Sequence, residues 1–176
     1  GGEPLINSEH WAVLEELINS GLSQNISLMY NTNLTTIRFK DVDIVDLWSK
    51  FKSVKLLVSI DAIDESLNTI RSGSDYKKIL ANLESLMAHR STVDIQLAPV
   101  LSILNIWRIE QVFKYAQEHA IPVGLSVLTG PDYLALDVVP NELQSLALAQ
   151  VDRIQQYIPS AQYTHIRELI ANNQNQ

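Results

Sequence analysis

Two hydrophobic periods alternate along the chain and lay out a repeating order of helix and strand. After Pro4, Asn7 and Ser8 can cap a helix, and Trp11, Leu14, Leu17, Ile18 and Leu22 recur at helical spacing with Gly21 near the end. Ile26, Leu28 and Tyr30 then alternate with Ser27 and Met29, which predicts a short strand running into the polar string Asn31-Thr32-Asn33. Asp43 and Asp46 open a second helix whose inward face is Val45, Leu47, Trp48 and Phe51, and residues 54–60 read as the next strand. Past a polar loop, Asp75 caps a helix with Ile79, Leu80, Leu83, Leu86 and Met87 on one stripe. Val93, Ile95 and Leu97 form a third strand and Pro99 to Ser102 a loop; Asn105 caps a helix with Ile106, Ile109, Val112, Phe113 and Ala116 inward. Residues 121–128 read as the fourth strand.

These strands begin roughly 30 to 40 residues apart, the length of a βα repeat joined by right-handed crossovers. The pattern predicts an α/β fold: a partial (β/α) barrel of alternating parallel strands and helices. From Pro131 it changes. Residues 133–139 read as extended, and Pro140 suits a first helical turn. Two helices follow, one carrying Leu143, Leu146, Ala147, Val151, Ile154 and Ile158, the other Tyr163, Ile166, Leu169 and Ile170. The expected division is a barrel core over 1–130, closed within the same domain by 131–176.

In parallel sheets packed on both faces, strand tips and the loops after them are where a solute can be met. The stretch VKLLVSIDAIDESLNTIRSG, residues 54–73, ends its apolar run in Ser59, Ile60 and Asp61 and then carries Arg71. Taken alone, a strand end, a turn aspartate and a surface arginine explain it as well as a ligand site does.

Composition narrows the chemistry. The chain has 176 residues, 46% of them hydrophobic, enough for one domain with a core. Its net charge of -7 contains no basic block, which removes support for a nucleic-acid surface. No apolar run reaches the roughly 18 residues of a membrane span, and the first residues lack a signal-peptide pattern, so a cytoplasmic setting is expected. There is no cysteine, which excludes disulfides, thiolate nucleophiles and cysteine-held metals or clusters within these residues. His10, His89, His119 and His165 are far apart and without metal-ligand spacing. Trp11 and Trp48 lie on apolar stripes and read as core, whereas Trp107 lies off its stripe. Asp41 with Asp43, and Asp61 with Asp64 and Glu65, are candidate acid-base or metal carboxylates and equally ordinary helix starts.

Gly1-Gly2-Glu3-Pro4 at the head of the chain, a strand ending Tyr30-Asn31-Thr32-Asn33, and a strand ending Ser59-Ile60-Asp61 with Arg71-Ser72-Gly73 downstream together resemble the radical SAM superfamily. The resemblance covers roughly residues 1–145. It implies that the chain is the C-terminal part of a partial (β/α)6 barrel that binds S-adenosylmethionine (SAM). Gly1, Gly2 and Glu3 would form the turn that holds the amino group. Asn31 and Asn33 would be the third-strand tip, Ser59 and Asp61 the fourth-strand tip, Arg71 a carboxylate partner, and Ser102 and Asn105 the fifth-strand contacts. These residue types suit those roles, since a guanidinium grips a carboxylate bidentately and hydroxyls or amides suit ribose hydroxyls. PDYLALDVVPNEL, from Pro131, resembles the closing stretch of members with a shortened "twitch" auxiliary-cluster domain.

The family's CxxxCxxC loop, which ligates a [4Fe-4S] cluster, has no counterpart here. The intact parent would hold the cluster and generate a 5'-deoxyadenosyl radical to abstract hydrogen from its substrate. This chain alone is expected to be inert in that chemistry. The strand at 26–30 is expected to be an unpaired edge beside an opened apolar face, favouring self-association. Two alternatives stand beside this reading: a non-catalytic α/β domain that binds a nucleoside-like ligand or a protein, and an unrelated barrel enzyme using Asp61 and Glu3 as acid and base.

Overall fold

The computed structural model describes residues 3–172. A short 3-10 turn leads into α1 (Ser8–Asn19), capped by the Asn7 side chain, which accepts from the Glu9 N–H at 2.9 Å. Strand β1 (Ser27–Thr32) follows, then an antiparallel ribbon of β2 (Arg38–Phe39) and β3 (Val42–Asp43), then α2 (Ile44–Trp48), capped by Asp43. Next come β4 (Ser53–Val58), α3 (Ser66–Ile70) and α4 (Tyr76–Met87), the last capped by Asp75 as its sequence predicts. β5 (Val93–Leu97), β6 (Val100–Leu101), α5 (Ile109–Glu118) and β7 (Ser126–Val127) complete the alternating part; α6 (Asn141–Ile154) and α7 (Ser160–Ala171) finish the fold.

The main sheet is parallel in the order β1-β4-β5, with Tyr30 beside Leu56 and Leu56 beside Ile95. The segment 122–128 runs along β5 and β6 as a fourth parallel strand. Gly124 N–H donates to Leu97 O (2.8 Å), Ser126 N–H to Pro99 O (3.0 Å) and Leu128 N–H to Leu101 O (2.9 Å). Pro99 has no N–H to return, which is why this ladder is interrupted between Leu97 and Val100.

Strand order never reverses, so crossovers of one hand place the connecting helices on one face. That face holds the core: Tyr30, Val54, Leu56, Val58, Val93, Ile95 and Leu97 are buried there with Trp48, Leu83, Val112 and Phe113. The other face is open. The described strands form no closed barrel, and this singly wound sheet agrees with the partial α/β architecture read from the sequence.

Several expectations are corrected. The open face is mixed and not apolar: Met29 is 69% exposed, but its neighbours there are Ser27, Asn31, Lys55 and Asp94. Residues 133–139 form two 3-10 turns and no extended segment, because Leu136 and Val139 both turn inward. Leu22, Leu143 and Leu146 are exposed, so the inward stripe of α6 is Ala147, Val151 and Ile154. The loop before Arg71 contains the short helix α3, and α5 begins at Ile109 with no capping bond from Asn105. No helix among the described residues is long and apolar enough to cross a membrane.

Candidate functional site

The carboxyl ends of β1, β4 and β5 meet in one hydrogen-bonded network. Its centre is Asp61, 5% exposed, three residues past β4. Asp61 Oδ2 accepts from Arg71 Nε at 2.7 Å, and Oδ1 accepts from the Val100 N–H at 2.8 Å. The second bond extends the sheet ladder. Ala98 N–H donates to Val58 O, and two residues on the Asp61 side chain takes the place of a strand carbonyl.

Arg71, at the end of α3, reaches back across the tip of β4. Its Nη1 donates to Asn33 Oδ1 at 2.9 Å, so one guanidinium links the loops after β1 and β4. Asn33 is held from the other side by Glu3, whose Oε2 accepts the Asn33 N–H at 2.6 Å. Glu3 Oε1 accepts the Thr32 hydroxyl at 2.6 Å. Thr32 in turn accepts the Leu34 N–H at 2.9 Å, stabilising a left-handed residue (φ 56°) at the turn.

Behind Asp61 lies Asn105, fully buried. Its Nδ2 donates to Asp61 O (3.2 Å) and Val100 O (3.0 Å), while its Oδ1 accepts from the Ser102 N–H (2.8 Å). The Ser102 hydroxyl accepts the Leu104 N–H at 3.3 Å. Asn105 does not cap α5; burial and these partners give it the role of a pin between two loops.

The structure thus brings together Glu3, Asn33, Asp61, Arg71, Ser102 and Asn105. Asn31 stands apart on the open face, exposed, and Ser59 is half-buried, its N–H donating to Thr32 O at 2.9 Å and its hydroxyl without a partner among the described residues. Gly1 and Gly2 lie outside the described residues. Sequence reasoning missed Thr32 as a member, although its place two positions after Tyr30 puts it on the buried side of the strand.

Each carboxylate oxygen of Asp61 and Glu3, the pair also read as an acid and a base, accepts at least one hydrogen bond from a neighbouring residue. Asp43 is a cap, and Asp64 serves the loop. Burial pushes the Asp64 carboxyl up, but bonds from the Ser66 hydroxyl and N–H and the Arg108 guanidinium outweigh it and hold the group below the usual carboxylate range. Among the described residues no three histidine, aspartate or glutamate side chains are grouped to hold a metal ion. A cleft of about 310 Å³ lined by Trp48, Lys52 and Arg90 opens at the opposite, amino ends of β4 and β5.

No family model matches the chain, and no curated protein matches it.

Proposed function

We propose that the carboxyl edge of this sheet binds S-adenosylmethionine and that the chain serves as part of a radical SAM catalyst. One observation carries the reading: six residues assigned by the resemblance from four separate stretches of sequence converge on a single network at the strand tips. Convergence at the carboxyl ends of parallel strands is what a ligand site in such a sheet requires.

The donor set decides which groups fit. With no cysteine, these residues supply no thiolate, so they do not fit an iron-sulfur cluster, whose ligands in a radical SAM catalyst would have to come from elsewhere. For SAM the fit is better. The Arg71 side chain is 25% exposed and its Nη2 has no partner among the described residues, which suits the methionine carboxylate. The Ser59 hydroxyl and the exposed Asn31 amide have no hydrogen-bond partner among the described residues and suit ribose hydroxyls. SAM, when bound in such a catalyst, supplies the 5'-deoxyadenosyl group. These residues bind and orient it.

Calorimetric titration of the chain with SAM is the test. Saturable binding that Arg71→Ala weakens by about tenfold, the worth of a charge-assisted contact, supports the reading. No binding at millimolar SAM by folded protein refutes it. A second reading, a non-catalytic binding domain, is favoured by the missing thiolates. Sequencing the reading frame ahead of the Gly1 codon separates the two, because the radical SAM reading requires a CxxxCxxC loop there.

A further inference from the structure

The resemblance casts Asp61 as a ligand contact, yet both of its carboxylate oxygens are committed, to Arg71 Nε at 2.7 Å and to the Val100 N–H at 2.8 Å. Its side chain is 7% exposed against 25% for Arg71, so the arginine is the member of the pair that meets solvent. We infer that Asp61 is a positioning residue, and that the groups left to meet a ligand are two N–H donors, the guanidinium Nη2 of Arg71 and the amide Nδ2 of Asn33, a seat for a carboxylate.

The argument is one of donor counting. Arg71 is fixed at two of its three nitrogens, Nε on Asp61 and Nη1 on Asn33 Oδ1, which leaves Nη2 without a partner among the described residues. The Asn33 oxygen is taken up by Nη1, and no described group accepts from its Nδ2. Asn33 is held at two points, its backbone N–H by Glu3 Oε2 at 2.6 Å and its side-chain oxygen by Arg71 Nη1 at 2.9 Å. Both open groups are donors, so the seat favours a ligand that only accepts. The Asp61–Arg71 pair is close to neutral as a unit, so recognition rests on directed N–H bonds more than on net charge, which selects a planar carboxylate over a spherical anion. A guanidinium held before the ligand arrives also loses less side-chain freedom on binding.

This rests on the carboxyl edge being the ligand site, and the experiment separates the two claims. The Arg71 Nε–H resonance of the 176-residue chain is followed by NMR in wild type and Asp61→Asn while acetate, then SAM, then a SAM analogue lacking the carboxylate are added. Asp61→Asn retains an acceptor for the Val100 N–H, so the fold is kept, and circular dichroism checks it. The expected result is that Asp61→Asn shifts the Nε–H upfield and speeds its exchange. It should also weaken SAM about tenfold, leave the decarboxylated analogue unchanged, and add nothing further in an Arg71→Ala background. If wild type fails to bind SAM but its Arg71 signal responds to acetate in an Asp61-dependent way, the SAM reading falls and the positioning role stands. An Arg71 Nε–H unchanged by Asp61→Asn, or equal losses for SAM and the decarboxylated analogue, overturns the positioning role.

Discussion

Asn105 separates two accounts of the same residue. If it were a helix cap, Asn105→Asp would be nearly neutral, since the two rank alike at that position, and Asn105→Ala would cost about 1 kcal/mol. As a buried pin the order reverses. Alanine orphans the Ser102 N–H and removes a donor from Asp61 O and Val100 O. At about 1–3 kcal/mol for each group left unsatisfied, and with some relaxation, the loss is about 3–5 kcal/mol. Aspartate is worse despite its matching shape, because it turns an oxygen toward two carbonyl oxygens where Nδ2 had donated, in a site with 0% exposure. Out of a total stability of about 5–15 kcal/mol, such a loss is large. Urea unfolding followed by tryptophan fluorescence reads it directly; with a slope of about 2 kcal/mol/M, Asn105→Ala should lower the midpoint by about 2 M. Asn105→Asp should lower it further or prevent folding. An Asn105→Asp protein within about 0.5 kcal/mol of wild type would refute the reasoning, because that tolerance belongs to a cap.

Other outcomes follow from the same contacts. Glu3→Ala should cost about 2–4 kcal/mol by freeing the Thr32 hydroxyl and Asn33 N–H, and Glu3→Gln about 1 kcal/mol, measured as a melting-temperature drop of about 2–4 °C per kcal/mol. Equal melting temperatures for Glu3→Ala and wild type would contradict the network. Burial lowers the His10 pKa below its usual 6.5, beside the Tyr30 hydroxyl at 3.0 Å. The unfolded chain therefore takes up the proton first, so His10 adds stability above pH about 6.5 that is lost as pH falls toward its folded value. Urea midpoints at pH 7.5 and 5.5 should differ less in His10→Gln than in wild type; an unchanged difference removes the assignment. Light scattering at tens of micromolar should find self-association through the outer edge of β1, which pairs with no described strand, and a strict monomer would count against it.

The strands were legible because their apolar positions carry a period of two and their spacing a βα repeat, and the caps at Asn7, Asp43 and Asp75 follow from side-chain chemistry alone. Asn105 was misread for a physical reason: an asparagine before an apolar stripe has the same local pattern whether it caps a helix or turns back to a strand loop 44 residues away. The short α3 lacks the length for a period to emerge, and the turns at 132–138 are set by Leu136 and Val139 packing inward, a tertiary preference no local pattern carries. The site residues were chosen one by one from strand tips. That Asp61 and Glu3 spend their oxygens on neighbours is a property of the assembled loops.

The two margins of the sheet are finished differently. On the far margin Leu125 sits between Gly124 and Ser126, which bond inward, so its carbonyl faces out; Gln162 of α7 caps it at 2.8 Å. The β1 margin carries no such stopper among the described residues. A second copy adding a strand to the β1 margin pairs β1 with β1 around a two-fold axis, and that junction uses up this margin of both molecules. Association by this route stops at a pair and has no path to a fibre.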